Sequence, residues 1–529
     1  MSKKEPQQNQ GETMKIKLIA FLTAAALSVA ASAEPFIPRS ADEDKDGVMS
    51  AKYWEIWNPK VQEQIDRDIE ANRKANASVK LDGANENTQV QIEQISHDFI
   101  FGAHIFNFNQ LGDESLNAKY RSLYGSLFNS ATVAFYWEHF EMQQGRPRFA
   151  GEFWDSEKYW KSSASPKTEE HWRRPAPDPV IDFCKSQGIR VHGHPLVWGS
   201  REWHTPTWML KNCAKGEEAD KLKTLIAEFP KHGNKCAGEK YTKKYKDMSA
   251  KDLGEYIPNL AAEMKRLTQK RINEIAAHYG DRVDSWDVVN ESATDWGKGV
   301  IVKGDAICKS WYGMMPGDYP YLAFQTAQAA FPANVKLNIN DYKCDNVYTS
   351  EIKDLLSRGC KVDIVGSQMH LFNPKQTLAI SEGKDIQTPQ QVQKTMDAID
   401  VGKPIHLSEI TITAPDTTDK GRMMQAIIAR NLYRKWFSIK PMMGITWWNV
   451  VDDCGAPGEP SMSGLFTRGM NPKPAFYALN GLINKEWKTI LTKKAEADGT
   501  INFRGFKGKY RLSWKDKNGA EKFAYIHVK

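Results

Sequence analysis

Two glutamates that close strand-like segments are the residues of this sequence best suited to chemistry. Glu291 ends the segment Asp284-Ser-Trp-Asp-Val-Val-Asn-Glu291, and Glu409 ends Pro404-Ile-His-Leu-Ser-Glu409. Both segments place apolar residues around a terminal acid, a pattern typical of buried parallel strands. Because a lone buried carboxylate is costly, each acid is either half of a structural ion pair or part of a reaction. Two such acids indicate carboxylate-pair chemistry, of which glycoside hydrolysis is the commonest kind.

The two segments belong to a series of eight strand-like segments with helical stretches between them. One helix is expected to begin at Thr388-Pro389, a cap followed by proline at the first helical position. Such alternation predicts an α/β fold, a (β/α)8 TIM barrel, with Glu291 and Glu409 facing each other across the mouth at the carboxyl ends of strands four and seven. The predicted strands are Asp98–Phe106, Ala131–Trp137, Arg190–Trp198, Ser285–Glu291, Val335–Tyr342, Ile364–His370, Pro404–Thr411 and Gly444–Val450.

Segments on either side of the barrel are expected to form small β appendages. The chain has 529 residues, against the roughly 250 of a typical barrel. We expect an N-terminal lead-in with a small β element over 34–96, the barrel over 97–484 with an insertion at about 209–256, and a C-terminal β appendage over 485–529. Within the lead-in, Asp42-Glu-Asp-Lys-Asp-Gly47 resembles the start of a calcium loop, but Tyr53 stands where a glutamate ligand is required, which favours a chance match or a solvated loop.

The N-terminus has the pattern of an export signal. Met14-Lys-Ile-Lys supplies a charged region, Leu18 to Val29 a short apolar stretch, and Ala31-Ser-Ala33 a small-residue cleavage site. The apolar stretch is too short to span a membrane. We therefore expect a signal peptide at about 14–33, preceded by an upstream extension, and a periplasmic or extracellular protein without membrane insertion.

The composition of the chain limits which classes of partner and ligand we expect it to bind. A net charge of +7, from 72 basic and 65 acidic residues, is spread along the chain without a basic arm, so no nucleic-acid partner is expected. Seven cysteines show no metal-ligand spacing, and neither a metal nor a cofactor is predicted, although Cys213 and Cys236 flank a lysine-rich insertion and could pair.

Several motifs resemble glycoside hydrolase family 10, the endo-β-1,4-xylanases. Trp286-Asp-Val-Val-Asn290-Glu291 resembles the family's acid/base strand, and His406-Leu-Ser-Glu409 resembles its nucleophile strand. Further matches occur in the family's order at Gly193-His194-Pro-Leu-Val-Trp198, Gly366-Ser-Gln368-Met-His370, Trp448-Asn-Val-Val-Asp452 and Pro472-Lys-Pro-Ala. The resemblance covers roughly residues 97–480.

This resemblance implies a retaining mechanism with Glu409 as nucleophile and Glu291 as general acid and base. It implies that Asn290 binds the sugar 2-hydroxyl, and that the other substrate-binding residues are His194, Trp198, Gln368, His370 and Trp448. The expected partner is a polysaccharide, xylan or a related β-glycan, bound by a monomeric enzyme.

The chain departs from the family's pattern where the sugar beyond the cleavage site is bound. Ala134, Phe135 and Glu138 stand where family members carry glutamate, asparagine and lysine. The family's histidine after the third-strand tryptophan is Gly199 here, and Cys454 replaces a second tryptophan after strand eight. Xylan as the substrate is therefore expected from the family resemblance and not from the residues of the site itself. The alternatives are a hydrolase of another β-glycan such as β-glucan, and a carbohydrate-binding barrel without catalysis.

Overall fold

The computed structural model describes residues 34–151, 174–199, 204–221, 254–294, 296–297, 300–301 and 318–529. The expected signal peptide, Cys236 and most of the expected insertion lie outside these ranges and stay predictions. The chain divides into a unit of residues 1–36, of which only 34–36 are described and have no regular secondary structure, and a unit Ile37–Lys529, which contains everything that follows.

The strands, in chain order, are β1 Lys74–Lys80, β2 Gln89–His97, β3 Ile100–His104, β4 Ser130–Ala134, β5 Arg190–His194, β6 Val197–Trp198, β7 Ser285–Asn290, β8 Trp296–Gly297, β9 Val300–Ile301, β10 Lys336–Asp341, β11 Ile364–Leu371, β12 Ile405–Ile412, β13 Met442–Trp447, β14 Ile490–Lys494, β15 Thr500–Phe506, β16 Gly508–Lys515 and β17 Glu521–Val528. The α-helices described are Ala51–Ile56, Pro59–Arg73, Glu114–Ser126, Trp137–Phe140, Pro177–Ser186, Thr207–Cys213, Pro258–Tyr279, Tyr319–Ala330, Asn346–Ser357, Pro374–Ser381, Pro389–Ala398, Asp419–Ser438 and Pro474–Gly481.

A closed barrel of parallel strands forms the centre of the protein. Its strand order is β3, β4, β5, β7, β10, β11, β12 and β13, and β13 pairs with β3 to close the circle. The short β6 continues the pairing with the end of β7. Strands buried on both faces read as continuous apolar runs, and all residues of β4 and β12 are indeed buried. The predicted (β/α)8 barrel is confirmed.

Two bulges change which side chains face the barrel axis. Asn338 of β10 pairs with Asp287 and Ile339 pairs with Val289, so Val288 is an extra residue in β7. Likewise Leu407 pairs with Ser367 and Glu409 with Gln368, which leaves Ser408 as an extra residue in β12. An extra residue shifts the alternation of the strand by one position. Because of these shifts, Asp287 and Asn290 both face the axis, although an uninterrupted strand would point them to opposite faces.

The segments before and after the barrel join in one β unit. β1 pairs antiparallel with β15, and a sheet of order β14, β2, β16 and β17 mixes strands from both ends of the chain. A separate apolar core that includes Val90, Ile92, Tyr510 and Leu512 fills the space between the two sheets. The two appendages predicted from the sequence therefore share one core. None of the helices in the described part of the chain combines the length and hydrophobicity that a membrane-spanning helix needs.

The acidic loop near the N-terminus is held by its own backbone. The buried carboxylate of Asp44 accepts N–H groups from Val48 and Met49, both at 2.8 Å, and the indole N–H of Trp54 at 3.0 Å. Asp42 and Asp46 are exposed. Asp44 thus stabilises the turn that leads into the helix Ala51–Ile56, and this accounts for the acidic run without a bound ion.

We expect Asp44→Ala to lower the melting temperature, because three buried donors lose their acceptor, a loss of about 1–3 kcal/mol for each group left unpaired. Asp42→Ala and Asp46→Ala are the matched controls and should leave the melting temperature unchanged. Thermal unfolding measured with added calcium and with a chelator checks the interpretation. A clear calcium-dependent stabilisation that Asp46→Ala abolishes would contradict it.

Candidate active site

A cavity of about 680 Å³ lies at the carboxyl ends of the barrel strands, where active sites of such barrels are found. All eight residues proposed from the sequence line it: His194, Trp198, Asn290, Glu291, Gln368, His370, Glu409 and Trp448. The fold thus brings together in one cleft side chains from β5, β6, β7, β11 and β12 and from the segments that follow β7 and β13.

Glu291 is turned into the cleft by an unusual backbone conformation. Its φ angle is +57°, in the left-handed region that residues with a side chain rarely adopt. Its N–H donates to the carbonyl of Asn340 at 2.8 Å, which continues the pairing of β7 with β10 by one residue. The turn lets Asn290 and Glu291, adjacent in sequence, both point into the cavity.

The carboxyl of Glu291 has two nitrogen donors. Trp198 donates its indole N–H to Oε2 at 3.2 Å, and Gln368 donates its amide N–H to Oε1 at 3.2 Å. Trp198, expected from the sequence as a substrate-binding residue, therefore also orients the carboxyl of Glu291.

The carboxyl of Glu409 lies in a denser set of donors. Its Oε1 accepts amide N–H groups from Asn340 at 2.7 Å and from Gln368 at 3.1 Å. His370 Nε2 lies 3.4 Å from Oε2, and His194 Nε2 lies 3.8 Å from Oε1. These contacts hold the Glu409 carboxyl in a fixed position in the cleft.

A single amide nitrogen joins the two acids. Gln368 Nε2 lies 3.2 Å from Glu291 Oε1 and 3.1 Å from Glu409 Oε1, so these two oxygens are at most about 6.3 Å apart. The two carboxyls therefore belong to one site and influence each other's charge.

Burial, and after it the nearby carboxyls of Asp341 and Glu409, raise the pKa of Glu291 to about 8. Two negative charges are costly to form side by side in a poorly solvated site. Glu291 is therefore protonated at neutral pH, which is the state that a general acid requires.

Beneath the two acids, Asp287 holds two histidines. Its Oδ2 lies 2.8 Å from His194 Nδ1 and 2.9 Å from His192 Nε2. Burial raises the pKa of Asp287, but the two imidazoles outweigh burial and leave that pKa below its ordinary range. For His194, burial lowers the pKa, yet Glu409 and Asp287 outweigh burial and leave the pKa raised. Asp287 thus orients His194 toward Glu409.

The remaining proposed residues surround the same point. Asn290 Oδ1 accepts N–H groups from Asn340 at 2.9 Å and Gln368 at 3.2 Å. His370 lies 3.0 Å from Thr411 Oγ1 through Nδ1 and stacks on Phe372 with ring centroids 4.3 Å apart. Trp448 is buried, and its ring lies nearly perpendicular to the imidazole of His194.

Sequence reasoning missed Asn340, which bonds to both Asn290 and Glu409 from the centre of the site. A β-carbon at Gly366 would lie 2.6 Å from Asn340 Oδ1, so this glycine leaves the room that the asparagine needs. The sequence feature that could have indicated Asn340 is the segment Asn338-Ile-Asn340-Asp341, in which polar residues end a predicted buried strand. The cavity is also lined by Tyr136, Arg174 and Glu459, which no motif indicated.

The positions that depart from the family pattern do not all face the cavity. Phe135 is fully buried outside the barrel, against Trp286 at 4.7 Å between ring centroids and against Phe140 and Tyr279. It therefore fills the core and presents no face to the cavity. Ala134 packs with Phe106 and Trp448 beneath the cavity. Glu138 is not among the residues that line the cavity, whereas its neighbours Tyr136 and His139 are.

Among the described residues, no cluster of histidine, cysteine, aspartate or glutamate side chains is arranged to hold a metal ion. The site that the described residues form is an amide-linked pair of carboxyls with supporting imidazoles. A parallel barrel that carries such a pair at the carboxyl ends of its fourth and seventh strands is of the glycoside hydrolase class.

The chain belongs to glycosyl hydrolase family 10, whose model matches residues 153–481. Endo-1,4-beta-xylanase A of Caldicellulosiruptor sp. is 26% identical over 318 residues, which are 57% of this chain and 38% of that relative. Endo-1,4-beta-xylanase B of Paenibacillus barcinonensis is 23% identical over 364 residues, which are 65% of this chain and 93% of that relative. The chain thus spans less than half the length of the first relative and nearly all of the second.

The crystal structure of native xylanase 10B from Thermotoga maritima superposes with a TM-score of 0.50 at 19% identity, covering 74% of this chain and 96% of that chain. At this identity the likeness bears on the fold alone, and it agrees with the barrel described above. The expected family resemblance is confirmed.

Two adjacent aromatic residues allow a test of which side chains face the substrate. Tyr136 lines the cavity beside His194 and Trp198, whereas its neighbour Phe135 is in the core. We expect Tyr136→Ala to lower kcat/KM by about tenfold with little change in melting temperature. We expect Phe135→Leu to lower the melting temperature and leave KM unchanged, because it removes core contacts only. Steady-state kinetics and thermal unfolding of both variants decide the matter, and the reverse pattern would contradict the assignment.

Proposed function

We propose that the chain is a retaining endo-glycosidase that cleaves β-1,4-xylan, or a related β-linked polysaccharide, by double displacement. The observation that carries the proposal is the amide of Gln368 between the two carboxyls, which holds their nearest oxygens within about 6.3 Å. Retaining glycosidases place their carboxyls about 5–5.5 Å apart, and inverting enzymes about 6.5–9.5 Å apart to leave room for a water. The spacing favours retention.

In the first step, a carboxylate oxygen of Glu409 attacks the anomeric carbon as the bond from that carbon to the leaving oxygen breaks. Glu291 transfers its proton to the leaving oxygen, and a glycosyl ester on Glu409 results. The raised pKa of Glu291 keeps that proton available at neutral pH. The amides of Asn340 and Gln368 hold Glu409 in position for the attack.

In the second step, Glu291, now ionised, takes a proton from water as the water oxygen attacks the anomeric carbon. The bond to Glu409 breaks, and both carboxyls return to their starting states. Asn290, fixed by two amide N–H groups, is placed to bind the sugar 2-hydroxyl, an interaction that strengthens in the transition state.

Family membership and the two curated xylanases support xylan as the substrate class. The changed surroundings of the cavity, with Ala134 beneath it and Tyr136 and Arg174 on its wall, keep another β-glycan such as β-glucan as the second candidate. A polymer substrate also suits export, which the leader-like segment Met14–Ala33 favours. Catalysis is preferred over binding alone because Asn290, Gln368, His370 and both acids converge in one cleft.

Glu409→Ala and Glu291→Ala should each retain no more than about one per cent of the activity on xylan, because each removes a group that contributes 10²-fold or more. Azide should restore cleavage of an activated aryl glycoside by Glu291→Ala, since a small anion can enter where the base is missing. The product should keep the anomeric configuration of the substrate. Glu141→Gln, which alters a buried acid outside the cleft, is the control for general damage.

A panel of polysaccharides, with product anomers followed by proton NMR, tests substrate and stereochemistry together. A product released first as the α-anomer would refute retention, and activity on none of the β-glycans would refute the function.

The pH profile of kcat/KM should be bell-shaped, with an alkaline limb set by Glu291. Activity requires the protonated acid, so it falls as pH rises through a pKa of about 8. In Glu291→Gln, assayed on an aryl glycoside whose leaving group needs no proton, that limb should disappear. An alkaline limb that stays unchanged in this variant would show that another group sets it.

A further inference from the structure

Asp341 is a fully buried acid beside the cleft that the proposed chemistry does not use. It is the last residue of β10, directly after Asn340, and it is 0% exposed. Its Oδ2 accepts the N–H of Ala293 at 2.9 Å, and its Oδ1 accepts the N–H of Lys343 at 2.8 Å. One carboxylate therefore ties the end of β10 to the turn that follows Glu291.

That turn is where the chain is conformationally costly. Glu291 has a φ of +57°, in the left-handed region that is unfavourable for a residue with a side chain. Such conformations persist only where the surroundings hold them. Here β10 holds the chain on both sides of Glu291: the Asn340 carbonyl binds the Glu291 N–H, and the Asp341 carboxylate binds the Ala293 N–H two residues later.

We infer that Asp341 is a positioning residue for the acid/base Glu291, because its carboxylate holds the left-handed turn that aims Glu291 into the cleft. The inference rests on the proposed function and adds to it a buried residue that does not touch the substrate.

Asp341 also acts on Glu291 through its charge, which favours the protonated form of Glu291. After burial, Asp341 is the next largest cause of the raised pKa of Glu291, ahead of Glu409. Burial raises the pKa of Asp341 itself to about 7, while its two backbone N–H donors act against this. The titratable groups that face Asp341 are Glu291 after β7, Lys343, Cys344 and Asp345 in the loop after β10, and Tyr348 on the helix Asn346–Ser357.

The test compares substrates that do and do not need acid assistance. Asp341→Ala should lower kcat/KM on xylan at least tenfold but lower it no more than about threefold on a dinitrophenyl glycoside, because only the first requires an aligned proton donor. Asp341→Asn, which removes the charge and keeps one acceptor, should move the alkaline limb of the xylan profile to lower pH.

Asp363→Asn is the matched control. Its carboxylate also accepts a backbone N–H from β10, that of Leu337 at 2.9 Å, but near the amino end of the strand, away from the cleft. Asp363→Asn should change the stability of the protein, and any change in kcat/KM should be the same for the two substrates. If Asp341→Ala does not fold, the substrate comparison is made with Asp341→Asn.

Equal losses on both substrates together with an unmoved alkaline limb would overturn the inference, since a merely structural acid behaves in that way. Full activity of the Asp341 variants on xylan would overturn it as well. These results leave the proposed function intact as long as the unmodified protein cleaves xylan, whereas an unmodified protein that cleaves neither substrate overturns both.

Discussion

The cost of placing two carboxyls side by side in a poorly solvated cleft is the constraint on which this site depends. Two ionised acids joined by one amide nitrogen repel each other, so one of them keeps a proton at neutral pH. Burial and the neighbouring carboxyls raise the pKa of Glu291, so Glu291 is the acid that keeps the proton. Glu409 receives the amides of Asn340 and Gln368 and faces two imidazoles, whereas Glu291 has Asp341 as a charged neighbour. The two carboxyls thus lie in unequal surroundings, which is the asymmetry that the proposed division of roles requires.

The barrel supplies these surroundings through irregularities in its strands. The extra residues Val288 and Ser408 shift the alternation of β7 and β12, so that polar side chains meet on the axis just below the cleft. The same shift puts Asp287 beneath His194 and brings Ser408 to Asn340, to which it donates a hydrogen bond of 2.5 Å. In a regular barrel with the same sequence motifs, the side chains beyond each extra residue would point into the apolar layer between strands and helices.

The sequence allowed the barrel and the location of the two acids to be predicted. The strand starts and ends fell close to those observed; for example, Ser285–Glu291 was expected and Ser285–Asn290 is found. It did not reveal the orientation of Phe135 or the part played by Asn340 and Asp341. In strands that are buried on both faces, apolar residues occur at every position, so the alternation that tells one face from the other is absent. Bulges add a second ambiguity, because their position depends on the pairing of distant strands.

The pairing of strands from before and after the barrel makes the β unit one of the last parts of the fold to close. β2 lies between β14 and β16, and its last residue, His97, pairs with Gly508. Contacts between residues so distant in sequence form slowly, because a long loop must close first. The β unit beside the barrel therefore stays open until β14 and β16 have paired with β2. The barrel strands lie in sequence between β1 and β2 on one side and β14 to β17 on the other, so this pairing also holds the two ends of the barrel segment together.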